Sequence, residues 1–295
     1  MPLAAVKRYY SLTKPGVLFG NLITTVAGFF LATGQSHHFY GWLFLGLIAG
    51  TSLVIAAACV LNNVFDRDID KLMTRTKKRA VAHGDVAINR ATAFSIILLV
   101  VGQAILVIYV SWLVAILGLA GFVIYVWLYG AMSKRRSVHG TLVGAVSGAI
   151  PVVAGYAAAS GHLDIAALLL FIILFSWQFP EFYSIAIYRR AEYRAAGIPV
   201  RPVIRGVLNT RRQIFVYTLI FVVASLALTP LGYTGWSYFV VVALMGGYWL
   251  RLASQGLSKQ LSDSVSDRWA HRMFRFSLIT LMSLSLLLCI GPLLP

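Results

Sequence analysis

Acidic residues are scarce in this sequence. The 295 residues include nine Asp and Glu against 25 Lys and Arg, and charged residues of both signs make up only 12%. A soluble domain carries about 25% charged and roughly 45–50% apolar residues. A chain that is 59% apolar, with a mean hydropathy of +0.82, is not an ordinary soluble domain. Cysteine is nearly absent as well. Cys59 and Cys289, with no CxxC pair, exclude a disulfide framework and a cysteine metal cluster. The period-2 alternation of a membrane barrel is also missing, which leaves the α-helix as the spanning form. No linker or low-complexity stretch divides the chain, so residues 1–295 read as one domain.

Long apolar runs are what the sequence does have. Nine can be marked, at about 17–33, 41–63, 91–112, 114–131, 140–159, 165–187, 213–230, 236–253 and 274–294. Each is near the roughly 20 residues that a helix needs to cross a bilayer. The bases lie in the N-terminal tail (Lys7, Arg8, Lys14) and around every second gap: Arg67 to Arg90, Lys134 to Arg136, Arg189 to Arg212, and Arg251 to Arg275. Those five regions hold all 25, and the alternate gaps and the C-terminus hold none. Such one-sidedness follows the positive-inside rule. It supports the helix count, places the N-terminus in the cytoplasm, and removes nucleic acid as the explanation of the +16 net charge. The first run resembles a signal peptide in its flanks, but its Asn21 and the eight runs that follow favour a retained span. No Arg/Ser-rich transit extension is seen, which favours a bacterial inner membrane over an organelle.

The cytoplasmic side has two long loops, at about 64–90 and 188–212, each after an even-numbered run. This suggests two similar halves, and long loops on a rigid scaffold are where function concentrates. The first loop opens with Asn62-Asn63-x-x-Asp66-x-x-x-Asp70 at the tip of an otherwise apolar run. If the second helix continues past the membrane, Asn62, Asp66 and Asp70 share one face. Two carboxylates and an amide oxygen are hard ligands suited to magnesium, which commonly takes phosphate oxygens as further ligands. Arg67, Lys71, Arg75, Lys77, Lys78 and Arg79 follow. Acid beside base is what a metal-bridged diphosphate requires. For the basic run alone, topology and lipid headgroups are a sufficient explanation; a polar array beginning at membrane depth is not so easily dismissed.

The sixth run carries a second polar site, Phe175-Ser-Trp177-Gln178-Phe-Pro180-Glu181-Phe182-Tyr183. Pro180 is expected to kink the helix or free a carbonyl, and aromatic faces there could stabilise a cation or form an interfacial belt. Gly140, Gly144 and Gly148 recur every fourth residue, a pattern of close helix packing. His139 beside them is a ligand, an acid–base group or a structural histidine.

Asn62-Asn63-Val-Phe-Asp66-Arg-Asp68-Ile-Asp70, followed by Arg75 to Arg79, resembles the first signature of the UbiA superfamily of intramembrane prenyltransferases. Thr13-Lys14-Pro15-Gly16, Lys134-Arg135-Arg136-Ser137 with His139-Gly140-Thr141, Trp177-Gln178-x-Pro180 and Ala196-Gly197-Ile198-Pro199 resemble its protoheme IX farnesyltransferase (heme O synthase) branch. The resemblance implies an all-α fold of nine transmembrane helices around a central cavity with a cytoplasmic mouth. It implies farnesyl diphosphate and heme B as substrates within the lipid bilayer, Mg2+ as cofactor, and heme-handling or oxidase-assembly proteins downstream. Metal ligation is then expected from Asn62, Asp66 and Asp70, and chemistry from Asp66, Asp70, Glu181 and Glu192. Substrate contacts are expected from Asn62, Asn63, Arg75, Lys77, Arg79, Lys134, Arg135, His139, Trp177, Gln178, Tyr183 and Arg189, with Arg135, Arg189 and Arg190 on the heme propionates.

This chain departs from the pattern at Glu181, where the branch usually has His, and at Ala80, Ala191 and Arg201. Glu181 is able to take a base role. The implied reaction is farnesyl transfer to a heme vinyl group, giving heme O; another aromatic or tetrapyrrole acceptor and a non-enzymatic transporter are the alternatives.

Overall fold

The structure, a computed structural model, describes residues 3–36, 38–74, 76–259 and 261–293. No strand occurs among them. Nine of their helices are long and apolar enough to cross a membrane: Pro15–Gln35, Gly41–Phe65, Ile88–Tyr109, Trp112–Ser133, Gly140–Ser160, Ile165–Tyr188, Val207–Ala227, Trp236–Leu257 and Asp263–Leu293, here the first to ninth spans. The nine expected runs all coincide with these. The seventh and ninth begin earlier than apolarity indicates, at Val207 rather than about 213 and at Asp263 rather than about 274. Helical hydrogen bonds are internal to the segment, so a polar first stretch continues the helix beyond the apolar layer. Arg190 fixes the extension of the ninth span, bonding Asp267 and lying 3.3 Å from Asp263.

The fifth span is the most buried and packs on the first, fourth and sixth; the sixth also meets the seventh and ninth. Lipid-facing side chains such as Ile97, Val100, Ile108 and Trp112 are exposed on the outer spans. Close approach between the first and fifth spans depends on two glycines. A Cβ on Gly155 would stand 1.9 Å from the Thr25 carbonyl oxygen, and one on Gly28 would stand 2.0 Å from that of Val152. Small residues let membrane helices approach where apolar burial gives no extra drive. The expected Gly140, Gly144 and Gly148 stripe also packs closely, against Lys134, the Tyr129 ring and the Gln178 amide. Pro151 and Pro180 both lie inside continuous helices.

The two long loops fold onto each other. Short helices Arg67–Leu72 and Ala80–His83 build the first loop, and Arg190–Ala195 and Arg201–Ile204 the second. Ile69 and Met73 from one bury against Ala196 and Ile198 from the other, with Tyr193 and Val200 alongside.

Gly155→Ala forces a methyl group into a backbone oxygen, an overpacking worth about 1–3 kcal/mol. Thermal unfolding in detergent is expected to fall markedly for this variant. Gly247→Ala, whose Cβ meets nothing within 4 Å, should melt like the parent; equal melting of the two would refute the packing account.

Candidate active site

A cavity of about 570 Å³ lies among the spans, and the two folded loops close over its end. Apolar groups from the second, fourth, fifth, sixth and ninth spans, including Ile55, Ala58, Val114, Phe122, Ile150 and Leu281, form its depth. Lys14, Asp66, Asp70, Arg79 and Lys134 line it at the loop end.

The second span ends at Phe65, and Asp66 caps it before the helix Arg67–Leu72 begins. Hydrogen bonds from Asp66 N to Asn62 O (2.9 Å) and from Asp70 N to Asp66 O (2.8 Å) keep near-helical register through the join. Asn62, Asp66 and Asp70 therefore stay on one side and all line the cavity, although the helix does not run unbroken. Asp66 is fully buried and Asp70 is 3% exposed.

Each of the three has a basic partner from elsewhere in the chain. Lys134 Nζ lies 2.5 Å from Asp66 Oδ2. Arg79 Nη1 donates to both Asp70 oxygens, at 2.8 and 3.0 Å. Lys14 Nζ donates to Asn62 Oδ1. A buried carboxylate is tolerable only when paired or otherwise satisfied. Burial pushes the Lys14 ammonium down to about 8, which marks it as a cation short of anionic company.

Asp66 Oδ1 and Asn62 Nδ2 remain buried without a hydrogen-bond partner. The orphaned carboxylate oxygen, beside a second carboxylate and an amide oxygen, fits a hard divalent cation that prefers oxygen ligands. Among the described residues no three His, Cys, Asp or Glu side chains gather, so the amide is needed to complete a protein donor set of three.

Asp68 points elsewhere. Both its oxygens lie 2.6 Å from Arg135, which also bonds the Phe65 carbonyl. Those hydrogen bonds hold the Asp68 carboxyl down to about 2.

Deeper in the cavity lie Trp177, Gln178 and Glu181 of the sixth span. The indole donates to Ser277 O at 2.8 Å, and the Gln178 amide donates to Ala145 O and Leu174 O, each at 3.0 Å. These bonds fix both side chains.

Eight residues expected at the site do not line it. Asn63 turns away, its amide donating to Leu12 O at 2.8 Å and anchoring the helix Leu3–Leu12. Lys77 and His139 are exposed on the loop side. Tyr183 is buried in the core against Phe179. Arg135 is taken by Asp68, and Arg189 and Glu192 face each other at 3.3 Å. Arg190 is held by Asp263 and Asp267, so the three arginines expected on heme propionates already serve loop carboxylates. Arg75 lies outside the described residues.

Lys14, Tyr125, Tyr129 and Tyr193 line the cavity without having been assigned to it. A signal for Lys14 was present, since Thr13-Lys14-Pro15-Gly16 stands just ahead of the first span. Its backbone carries a left-handed φ of 50°, which only Lys14 shows among the described non-glycine residues; strain of this kind collects at functional sites. Tyr125 and Tyr129 come from the last part of the fourth span, a π-helix over Ile124–Ser133. Such wide turns gather at functional sites. Lys134 N bonds Tyr129 O at 2.8 Å, and the changed helical phase delivers Lys134 to Asp66.

Residues 21–279 match the UbiA prenyltransferase family. A "Protoheme IX farnesyltransferase" of Pseudomonas savastanoi pv. phaseolicola is 46% identical over 97% of this chain and 95% of its own length. A "Protoheme IX farnesyltransferase 2" of Pseudomonas entomophila is 44% identical over the same shares. Among solved structures, one of digeranylgeranylglyceryl phosphate synthase superposes with a TM-score of 0.82 at 16% identity, covering 98% of this chain and 99% of that one. A UbiA homolog from Archaeoglobus fulgidus bound to DMAPP and Mg2+ gives 0.69 at 15% identity, over 94% and 99%. With the fold, the paired acidic array and near full-length similarity in agreement, this chain belongs to the UbiA prenyltransferase family.

Proposed function

We propose that this protein transfers the farnesyl group of farnesyl diphosphate to a vinyl group of heme B, giving heme O, with Mg2+ as cofactor. The observation that carries the reading is the pairing of a buried Asn62–Asp66–Asp70 array with three cations at the polar end of a deep apolar cavity. That arrangement suits a ligand with a doubly charged head and a hydrocarbon tail. The names of relatives 44–46% identical over nearly the whole chain support farnesyl as the group and protoheme IX as the acceptor.

Asn62, Asp66 and Asp70 would hold the magnesium ion, which when bound neutralises charge on a departing diphosphate. Lys14, Arg79 and Lys134 now rest on those three side chains. They are within reach to turn to phosphate oxygens and stabilise charge as the allylic C–O bond breaks. The apolar walls hold the tail and exclude water. Tyr125, Tyr129 and Trp177 present aromatic rings to the cavity, a surface able to stabilise an allylic cation. Attack by the vinyl π pair on farnesyl C1 then joins donor and acceptor. The strict basic asymmetry of the loops supports a bacterial inner membrane setting with the diphosphate end facing the cytoplasm. Heme-handling or oxidase-assembly proteins would take the product onward.

Purified protein supplied with heme B, farnesyl diphosphate and Mg2+ is expected to form heme O, detected by chromatography, and chelation should stop it. Asp66→Ala and Asp70→Ala should each lower turnover by at least about 10²–10³-fold, the scale of removing one group that stabilises developing charge. Turnover unchanged in both would end the mechanism. A quinone precursor offered in place of heme should yield no product.

The two neighbouring asparagines should separate. Asn62→Ala is expected to slow the folded enzyme. Asn63→Ala should leave turnover per folded molecule intact while lowering stability by about 1–2 kcal/mol through the lost bond to Leu12. For topology, alkaline phosphatase inserted after Gly161 should be active, and after Arg205 inactive. The reverse pattern would invert the orientation.

A further inference from the structure

Nine carboxylates occur in the chain, and eight have a basic partner. Asp66 meets Lys134, Asp68 Arg135, Asp70 Arg79, Asp85 His83, Asp164 His162, Glu192 Arg189, and Asp263 and Asp267 share Arg190. Glu181 is the exception. Among the described residues its carboxylate makes no hydrogen bond and no ion pair, although it lines the cavity from within the sixth span. Placing a half-buried carboxylate inside a membrane helix is costly, and such a residue ordinarily marks function.

Depth gives the role. The sixth span ends on the loop side at Tyr188, seven residues beyond Glu181, which at 1.5 Å per residue is about 10 Å. Asn62 lies only three residues from the corresponding end of the second span at Phe65. Glu181 is thus set below the diphosphate end, toward the part of the cavity where a hydrocarbon and its acceptor would meet. Gln178 precedes it by three residues, on the same helix face, and its amide nitrogen is fully committed to Ala145 O and Leu174 O. The Gln178 Oε1 rests over Gly148, where a Cβ would stand 2.2 Å away. Gly148, Gln178 and Glu181 all line the cavity. Two acceptors on one face can receive both protons of one water molecule.

We infer that Glu181 accepts the proton of the water that completes the reaction. This rests on the heme-farnesylation reading above. The farnesyl C1–O bond breaks, and its electron pair leaves with pyrophosphate. The vinyl π pair forms the new C–C bond, leaving a cation on the carbon attached to the porphyrin. A lone pair of water bonds to that carbon, and the O–H pair stays with oxygen as the proton passes to Glu181. Farnesyl diphosphate, heme B and water thus give the hydroxylated product, pyrophosphate and one proton, with no change of oxidation state. Among the described residues no cation occupies the Glu181 carboxylate, so its oxygens are open to the water. Asp66 and Asp70 are each engaged by a cation instead.

The test compares Glu181→Gln and Glu181→Asp with the parent, measuring pyrophosphate release and analysing heme products by mass. Glu181→Gln is expected to lose about 100-fold in heme O formation, the lower range for a general base. Heme-dependent pyrophosphate release should stay within a few-fold of the parent, which also certifies a folded donor site. A prenylated heme lighter by one water should accumulate, because the cation then loses a carbon-bound proton instead. Glu181→Asp should recover part of the hydroxylated product. Unchanged heme O formation in Glu181→Gln would overturn the inference, as would equal losses in pyrophosphate release and heme O with no lighter product. A parent enzyme that releases pyrophosphate yet never prenylates heme would overturn the acceptor assignment, and this inference with it.

Discussion

Asp66 and Asp70 are removed from water at the inner edge of an apolar layer, and much of the loop-side architecture follows from the need to offset that. Isolated ionised carboxylates cannot be left there. Lys134 arrives from beyond the fourth span, Arg79 from the first loop and Lys14 from ahead of the first span, so three distant segments converge on one array. Among the described residues the side-chain hydrogen bonds of these cations all go to the array. They are drawn in by the array and stand where an anionic ligand would come. Under the proposed function the same contacts would serve stability and binding, with the partner exchanged.

That convergence requires the spans to be set closely. Gly28 and Gly155 let the first and fifth spans touch backbone to backbone, and Gly148 admits the Gln178 side chain. Between the first, second, fourth and sixth spans around the fifth, a hollow is left that no side chain fills. Widening of the fourth span into a π-helix turns Tyr125, Tyr129 and then Lys134 toward that hollow. The loops bury Ile69 and Met73 against Ala196 and Ile198 over its end. Charge is thereby confined to one end and hydrocarbon walls to the other. Under the proposed function this separation would keep a reactive allylic cation from bulk water once the charged leaving group has departed.

Ion pairs elsewhere in the loops do a different job. Arg135 with Asp68, Arg189 with Glu192, and Arg190 with Asp263 and Asp267 tie surface segments together. Partly exposed pairs of this sort contribute little singly, but they occupy the arginines. Their engagement distinguishes bases that shape the loops from the three that face the cavity, and among the described residues it leaves Glu181 as the carboxylate without a counterion.

Hydrophobic run length was enough, from the sequence alone, to give the number and order of the spans found among the described residues, and the placement of basic residues gives the orientation expected of them. Both express a local cost, that of placing a side chain in or out of hydrocarbon. The Asn62–Asp66–Asp70 array was legible for a similar reason, since a four-residue spacing on a helix fixes a shared face. Tertiary structure alone decided which charges face the cavity. Asn62 and Asn63 are neighbours of one chemistry, yet one lines the cavity and the other bonds Leu12. Arg79 and Lys77 differ likewise, as do Tyr193 and Glu192. Those outcomes depend on partners 48 and 68 residues away in two cases, Lys14 with Asn62 and Lys134 with Asp66. Long flexible side chains take their direction from what surrounds them in space, and spacing along the chain carries no record of it.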